Sequence, residues 1–359
     1  MTNTPKPKLR NPLPSQSSSR DDSAVNTEKP YKFVSFPPEG SRLERPTGHD
    51  KFDKNSLHGT LFLSLKVQTS LHVSTGVVVP GNDIAARVSL IKTMVQGIDK
   101  HLVVQGSSLK GCIRSVYEAI SRSCICKTKA DFRKLPEGYG TECDIKKNRN
   151  QVCDACRIFG ALNLQGLIEF NDVKCENIGF NTGFMPSLYR PRPEPGSAYF
   201  DARGKVAGRK FYYHTIRAIE KGQNQGIAVQ QAAREYTFST QLQFKNIKPE
   251  ELGTLFVVLG QDSNYPIALK VGGGKPIGMG TMTVEVSQAR ILQNFEDLRS
   301  HYSTYTPDNN HLLTGEALET FIATQIKAAH SRLIQLPQLQ QLAEVLRYPT
   351  DREPPEDMY

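Results

Sequence analysis

The chain has 359 residues, enough for one large domain or two modest ones, and 38% are hydrophobic with no tryptophan, which supports a core while leaving room for long polar insertions. Lysine and arginine number 45 against 36 acids, and the formal charge of +9 favours a polyanionic partner, nucleic acid before membrane. No apolar run reaches membrane-spanning length and no hydrophobic signal segment opens the chain, so the expected setting is cytoplasmic, where seven cysteines read as metal ligands before disulfides.

Residues 1–30 are rich in proline, serine, lysine and asparagine and nearly devoid of apolar side chains, which predicts a disordered tail. Residues 31–58 carry more aromatics and prolines and are expected to pack on the body without regular structure. Residues 59–73, GTLFLSLKVQTSLHV, alternate well enough for a first core strand. Residues 74–100 read as a glycine-punctuated loop. The apolar run Leu102, Val103, Val104 then leads into Gly106-Ser107-Ser108-Leu109-Lys110-Gly111. Behind it Ile113, Val116, Tyr117 and Ile120 recur at helical spacing, so Ser107 or Ser108 is the expected N-cap. A helix N-terminus suits an anion, and Lys110 and Arg114 lie one turn apart, able to face the same phosphate.

Cys124, Cys126, Cys143, Cys153 and Cys156 fall within 33 residues of polar, glycine-rich sequence that offers little core to bury unrelated thiols. Four thiolates close a tetrahedral zinc site, and a C-x-x-C turn is a usual half of one. The expected ligands are Cys153 and Cys156, then Cys143, with Cys126 as the fourth and Cys124 as its alternative, the zinc being structural. Cys112 and Cys175 read as plain thiols. Residues 157–170 look like the second strand and its approach. From 189 to 221, eight lysines and arginines face three acids, interleaved with Tyr189, Tyr199, Phe200, Phe211, Tyr212 and Tyr213. Cations for phosphates and flat rings for bases suit a single-strand or splayed-duplex surface, with Arg190, Arg192, Arg209, Lys210, Tyr213 and His214 as candidate contacts.

Residues 236–244, YTFSTQLQF, alternate strictly and give a third strand, and Pro249 with Glu250 and Glu251 opens a second helix through Leu259. Next come Gly272-Gly273-Gly274-Lys275-Pro276-Ile277-Gly278-Met279-Gly280 and a final strand from Thr281. The loop lacks the GxxxxGK[ST] spacing of a nucleotide-binding loop and no helix follows it. Its five glycines and lysine instead let the backbone approach a sugar-phosphate chain. The order strand–helix–strand–strand–helix–strand predicts an α+β, ferredoxin-like (RRM-type) core over residues 59–290, interrupted by a zinc-binding insertion (124–156) and a thumb-like hairpin insertion (185–235). Two amphipathic segments broken near Leu336-Pro337 make residues 291–359 a helical extension with a fraying end.

Four segments in this order, GSSLKG with its helix, CDACRIFG, GRKFYYH and GGGKPIGMG, resemble the RAMP superfamily. More narrowly, they resemble the repeated backbone subunits of type III CRISPR effector complexes. The resemblance spans roughly residues 60–290. It implies guide RNA, complementary target RNA and other RAMP subunits as partners, and a thumb around residues 189–221 that wedges into the guide–target duplex. It also implies an aspartate, in the loop between first strand and first helix, that supports metal-assisted cleavage of target RNA. Counted back from GSSLKG, that position falls near residues 87–89, which hold no acid; Asp83 lies a few residues early. The leading expectation is a non-cleaving guide-RNA-binding subunit. One alternative is a magnesium-dependent endoribonuclease acting through Asp83. The other is a standalone zinc-bearing RNA-binding protein.

Overall fold

The computed structural model describes residues 29–355 except 127, 129, 141, 148, 189–192, 195, 220–224 and 304–310. Residues 1–28 of the expected 1–30 tail, the terminal residues 356–359, Arg190 and Arg192 lie outside the described residues.

The molecule is a mixed α/β structure built on a 12-stranded sheet with helices packed against it. Leu57–Val67 is the central strand, its buried Leu61, Leu63, Leu65 and Val67 following the two-residue period of a strand. It pairs antiparallel with Thr237–Ile247 on one side and Thr281–Leu292 on the other. Thr237–Ile247 realises the alternation read in its sequence: Phe238, Thr240, Leu242 and Phe244 are buried while Ser239, Gln241 and Gln243 face solvent. Beyond it lie Ile168–Phe170 and Val173–Ile178, then His101–Val104, Leu90–Gln96, Gly226–Gln231 and Asn181–Pro186; Leu269–Lys270 pairs with Thr281–Leu292 at the other side.

Residues 74–100, expected as a loop, are instead the strands Ser74–Pro80 and Leu90–Gln96 of an antiparallel hairpin. The β-branched run Val77, Val78, Val79 favours extended backbone more strongly than the flanking glycines oppose it. The N-terminal segment is also ordered: Tyr31–Val34 pairs with Arg209–Tyr212, and Leu43–Glu44 with Val152–Cys153.

Helix α1 (Gly106–Ala119) buries Leu109, Ile113, Val116 and Tyr117 against the sheet and its neighbours. Helix α2 (Asp154–Phe159) occupies sequence expected to lead into a strand; the C-x-x-C turn winds its first residues into a short helix, and the strand proper begins at Ile168. Helix α3 (Pro249–Val258) starts on proline, and Glu251 folds back to accept a hydrogen bond from the Lys248 backbone at 2.8 Å. Helices α4 (Phe295–Ser303), α5 (Gly315–Arg332) and α6 (Leu336–Leu346) follow. Helix α5 crosses α3 at Gly253, where an added Cβ would lie 1.9 Å from the Gln325 carbonyl oxygen, so only glycine admits this approach. Arg157 of α2 is buried and pairs with buried Glu251 of α3 and with half-exposed Glu44, binding the cysteine-rich insertion to the core. No helix among the described residues is long and apolar enough to cross a membrane.

Candidate nucleic-acid interface and metal centre

Cys153 and Cys156 flank the first turn of α2, Cys143 arrives on the polar loop before it, and Cys124 follows the end of α1. The four thiols are buried and their sulfurs lie within 4.8 Å of one another, a set that could hold a metal ion. Among the described residues no other group of three or more histidine, cysteine or acidic side chains is so placed. The fourth member is Cys124, not Cys126. The Ser123 hydroxyl accepts from Ala155 N at 3.0 Å and Arg209 donates to the Ser123 and Cys124 carbonyls at 3.1 and 2.8 Å, pinning this stretch onto the C-x-x-C turn. Cys126 is partly buried beside the cluster and lines the neighbouring cleft. Hydrogen bonds from Cys124, Cys143 and Cys156 hold the Cys153 thiol well below its ordinary range, while bonding within the cluster pushes the Cys124 thiol up.

Arg114 was expected to face an anion. It instead donates to Cys156 Sγ at 3.1 Å, to Glu118 at 2.7 Å and to the Gly160 carbonyl at 2.9 Å. Glu118 also receives Arg209 at 2.9 Å. Helical spacing correctly put Lys110 and Arg114 one turn apart, but at this partly buried position the acceptors of the insertion claim the guanidinium. Lys110 likewise donates to the Ile168 carbonyl at 2.9 Å, and burial lowers its pKa. Neither Ser107 nor Ser108 is the N-cap. Gln105 holds that position without a side-chain bond, and Asp172 takes the Gly106 N–H at 2.8 Å. Both serines are exposed in the first turn.

The two glycine-bearing segments nevertheless meet. A cleft of about 580 Å³ is lined by Gly111, Cys112 and Ser115 of α1, by Lys270 and Lys275 from the glycine-rich segment, and by the Arg209–Tyr212 strand. Ser108 falls on the same face of α1 as Gly111, Cys112 and Ser115. Among the described residues five cations line the cleft, Arg114, Arg209, Lys210, Lys270 and Lys275, against the single carboxylate Glu118, which two of them already hold. Half-buried Lys275 makes no side-chain hydrogen bond or ion pair among the described residues. Lys210 stands over the rings of Tyr31, Tyr212 and Tyr199 at 3.7, 4.9 and 5.2 Å and donates to the Tyr199 hydroxyl at 2.9 Å, making a cationic, aromatic rim.

The glycines divide by cause. Gly272, Gly274, Gly278 and Gly280 have positive φ, and an added Cβ at each would lie within 2.5 Å of a neighbouring atom, so the fold itself requires them. Gly273 and Gly111 differ: a Cβ at Gly273 would meet nothing nearer than 3.8 Å, and one at Gly111 nothing within 4 Å.

His214 is a core residue, not an exposed contact. Its Nδ1 faces the Thr281 hydroxyl at 2.9 Å and its Nε2 the Ala268 carbonyl at 3.0 Å, and burial, aided by Lys270, drives its pKa down to about 3. Tyr213 is buried beneath Arg352, whose guanidinium lies 3.8 Å from its ring centroid. The 209–214 stretch therefore packs on the body. Asp83 is exposed in the 3-10 turn Gly81–Ile84, at the tip of the Ser74–Pro80 hairpin and away from the cleft lining. Sequence reasoning missed Lys270, whose flanks Leu269 and Val271 read as strand core; its position five residues before Lys275 was the available signal.

A family model described as the RAMP superfamily matches residues 64–283. No curated protein matches. Among solved structures, a chain of a type III-B Cmr-β complex, determined by cryo-EM bound to cognate target RNA, is similar at 11% identity with a TM-score of 0.35. That similarity covers 66% of this chain and 61% of that one.

Proposed function

The chain belongs to the RAMP superfamily, and on that premise we propose that it is a guide-RNA-binding backbone subunit of a type III CRISPR ribonucleoprotein. The observation that carries this reading is the convergence of the α1 segment and the glycine-rich segment on one cation-lined cleft. A phosphodiester backbone lying there would meet Lys275 and pass close to Gly111, a glycine that packing does not require. Glycine inside a helix costs about 1 kcal/mol relative to alanine, so Gly111 is better explained by close approach of a ligand. Contacts of this kind read phosphates, so binding is salt-dependent and indifferent to base identity. The partly exposed rings of Tyr199 and Tyr212 are suited to stacking bases beside that track.

We read the order of central strands and of α1 and α3 as a ferredoxin-like core. Its strands run Thr281–Leu292, Leu57–Val67, Thr237–Ile247 and Val173–Ile178 across the sheet. The cysteine set suits zinc: tetrahedral Zn–S bonds of about 2.3 Å place sulfurs about 3.8 Å apart, and Cys124 and Cys156 stand 3.6 Å apart. Four thiolates leave no open position for water, so the zinc is structural, and Arg114 offsets part of its excess negative charge. The subunit is read as non-cleaving, because Asp83 is exposed at a hairpin tip away from the cleft lining.

Purification from the native host, with bound RNA and companion proteins identified together, tests the whole reading. A short RNA with related subunits supports it. Isolation of the chain alone with mixed RNA favours a standalone binding protein, and isolation without RNA refutes it. In vitro, Lys275→Ala should weaken binding equally for unrelated RNA sequences and lower the salt dependence by about one phosphate contact.

A further inference from the structure

Among the described residues Lys270 is the most deeply buried cation of the cleft, and its burial lacks a compensating charge. It is 5% exposed, and its ammonium donates to the Gly278 carbonyl at 3.1 Å and to the Thr281 hydroxyl at 3.2 Å, both neutral acceptors. The groups that face it add no negative charge. Lys275, on the following 3-10 turn, is a second cation, and its field acts on Lys270. His214 is held neutral: its Nε2–H is committed to the Ala268 carbonyl, so its Nδ1 accepts from the Thr281 hydroxyl, whose oxygen in turn accepts from Lys270. Cys112 on α1 hydrogen-bonds the Lys270 carbonyl at 3.4 Å, and burial raises its thiol pKa, keeping it protonated. The nearest cleft carboxylate, Glu118, is taken by Arg114 and Arg209.

A buried lysine without a counter-ion is costly, and its site is completed by an anion or by loss of its proton. We propose that Lys270 and Lys275 form a phosphodiester subsite at the inner end of the cleft, and that filling it with an RNA phosphate draws a proton onto Lys270. This rests on the RNA-binding reading above and adds a linkage which that reading does not contain. Without RNA, burial and then the Lys275 charge lower the Lys270 pKa to about 7, so above neutrality the free protein holds Lys270 largely deprotonated. A phosphate beside it favours the charged form, so binding takes up a proton, and affinity falls as pH rises through the interval above about 7.

The test is titration of a fluorescein-labelled oligouridylate with the full chain, at fixed salt, from pH 6.5 to 9. For wild type, Kd should be flat below neutrality and then rise toward about tenfold per pH unit, the limit for one linked proton. Titration heats in two buffers of different ionisation enthalpy should show uptake approaching one proton at pH 8. Lys270→Arg, always charged, should bind with no such slope, and Lys270→Met should bind more weakly and without it; far-UV circular dichroism checks that each variant is folded. A flat wild-type profile without proton uptake overturns the proposal, as does an unchanged slope in a folded Lys270 variant, while leaving RNA binding itself intact. Absence of RNA binding by wild type at low salt instead removes the RNA-binding reading and this subsite with it.

Discussion

Replacing Glu251 with glutamine keeps its size and its acceptance from the Lys248 backbone while removing the charge that faces Arg157. Arg157 has 2% of its side chain exposed and would retain Glu44, 37% exposed, as its ion-pair partner, with the nearby Asp154 charge also acting on it. Breaking a buried pair from one side costs about 3–5 kcal/mol. The surviving Glu44 contact puts Glu251→Gln at the lower end, about 3 kcal/mol. Arg157→Met should cost a similar amount, because it leaves Glu251, 1% exposed, as a buried carboxylate without its main cation. The double variant removes both charges, so its cost should stay within about 1 kcal/mol of either single one. The singles should also separate by pH. Burial already raises the Glu251 pKa against the pull of Arg157, and without Arg157 it rises further. An acid with a raised folded pKa loses stability as pH climbs above its unfolded value, so the Arg157→Met deficit should shrink on acidification toward pH 5 while the Glu251→Gln deficit persists. Urea unfolding with saturating zinc, followed by far-UV circular dichroism because the chain has no tryptophan, measures all three. Single costs that simply add in the double variant would refute the coupling.

Cys124→Ser should lose bound metal whereas Cys126→Ser retains about one zinc per chain, as read by mass-spectrometric metal analysis; the reverse pattern would restore Cys126 as the ligand. Gly111→Ala should stabilise the protein by up to about 1 kcal/mol while Gly111→Gln weakens RNA binding, and unchanged binding by the glutamine variant would place the RNA elsewhere. His214→Phe should lower stability in urea unfolding by roughly 2–4 kcal/mol, leaving Thr281 and the Ala268 carbonyl short of partners, and an unchanged midpoint would refute the core role. Asp83→Asn should leave the fragments of target RNA produced by an assembled complex in magnesium unchanged; loss of one cut with target binding intact would make Asp83 catalytic.

Periodicity made the central strands and both core helices legible, because Phe238, Leu242 and Phe244, or Ile113, Val116 and Tyr117, repeat at the spacing their burial demands. The meeting of α1 with the glycine-rich segment was anticipated from their chemistry. What failed was the fate of individual polar groups. Arg114, Lys110, Arg209 and His214 read as contacts for RNA, yet each is bonded to carbonyls, thiols or carboxylates from segments remote in sequence. Cys124 and Cys126 sit at equivalent distances from the C-x-x-C turn as far as spacing can tell. Only Ser123 and Arg209, acting on the backbone, decide between them. Gly111 and Gly273 were indistinguishable from their neighbours until the space around each was measured.

The pairing of Tyr31–Val34 with Arg209–Tyr212 sets a timetable for synthesis. The amino-terminal strand leaves the ribosome about 175 residues before its partner, a wait of roughly 9–35 s at ordinary elongation rates. Through that interval an edge bearing Tyr31 and Phe33 has no mate. Leu43–Glu44 waits similarly for Val152–Cys153, which carries one of the four clustered thiols. The central sheet cannot finish earlier, since Leu57–Val67 lacks its outer neighbour until Thr281–Leu292 is made. Completion of the central sheet therefore waits for Thr281–Leu292, and the unpaired edges need chaperone cover most in the seconds before that strand is made.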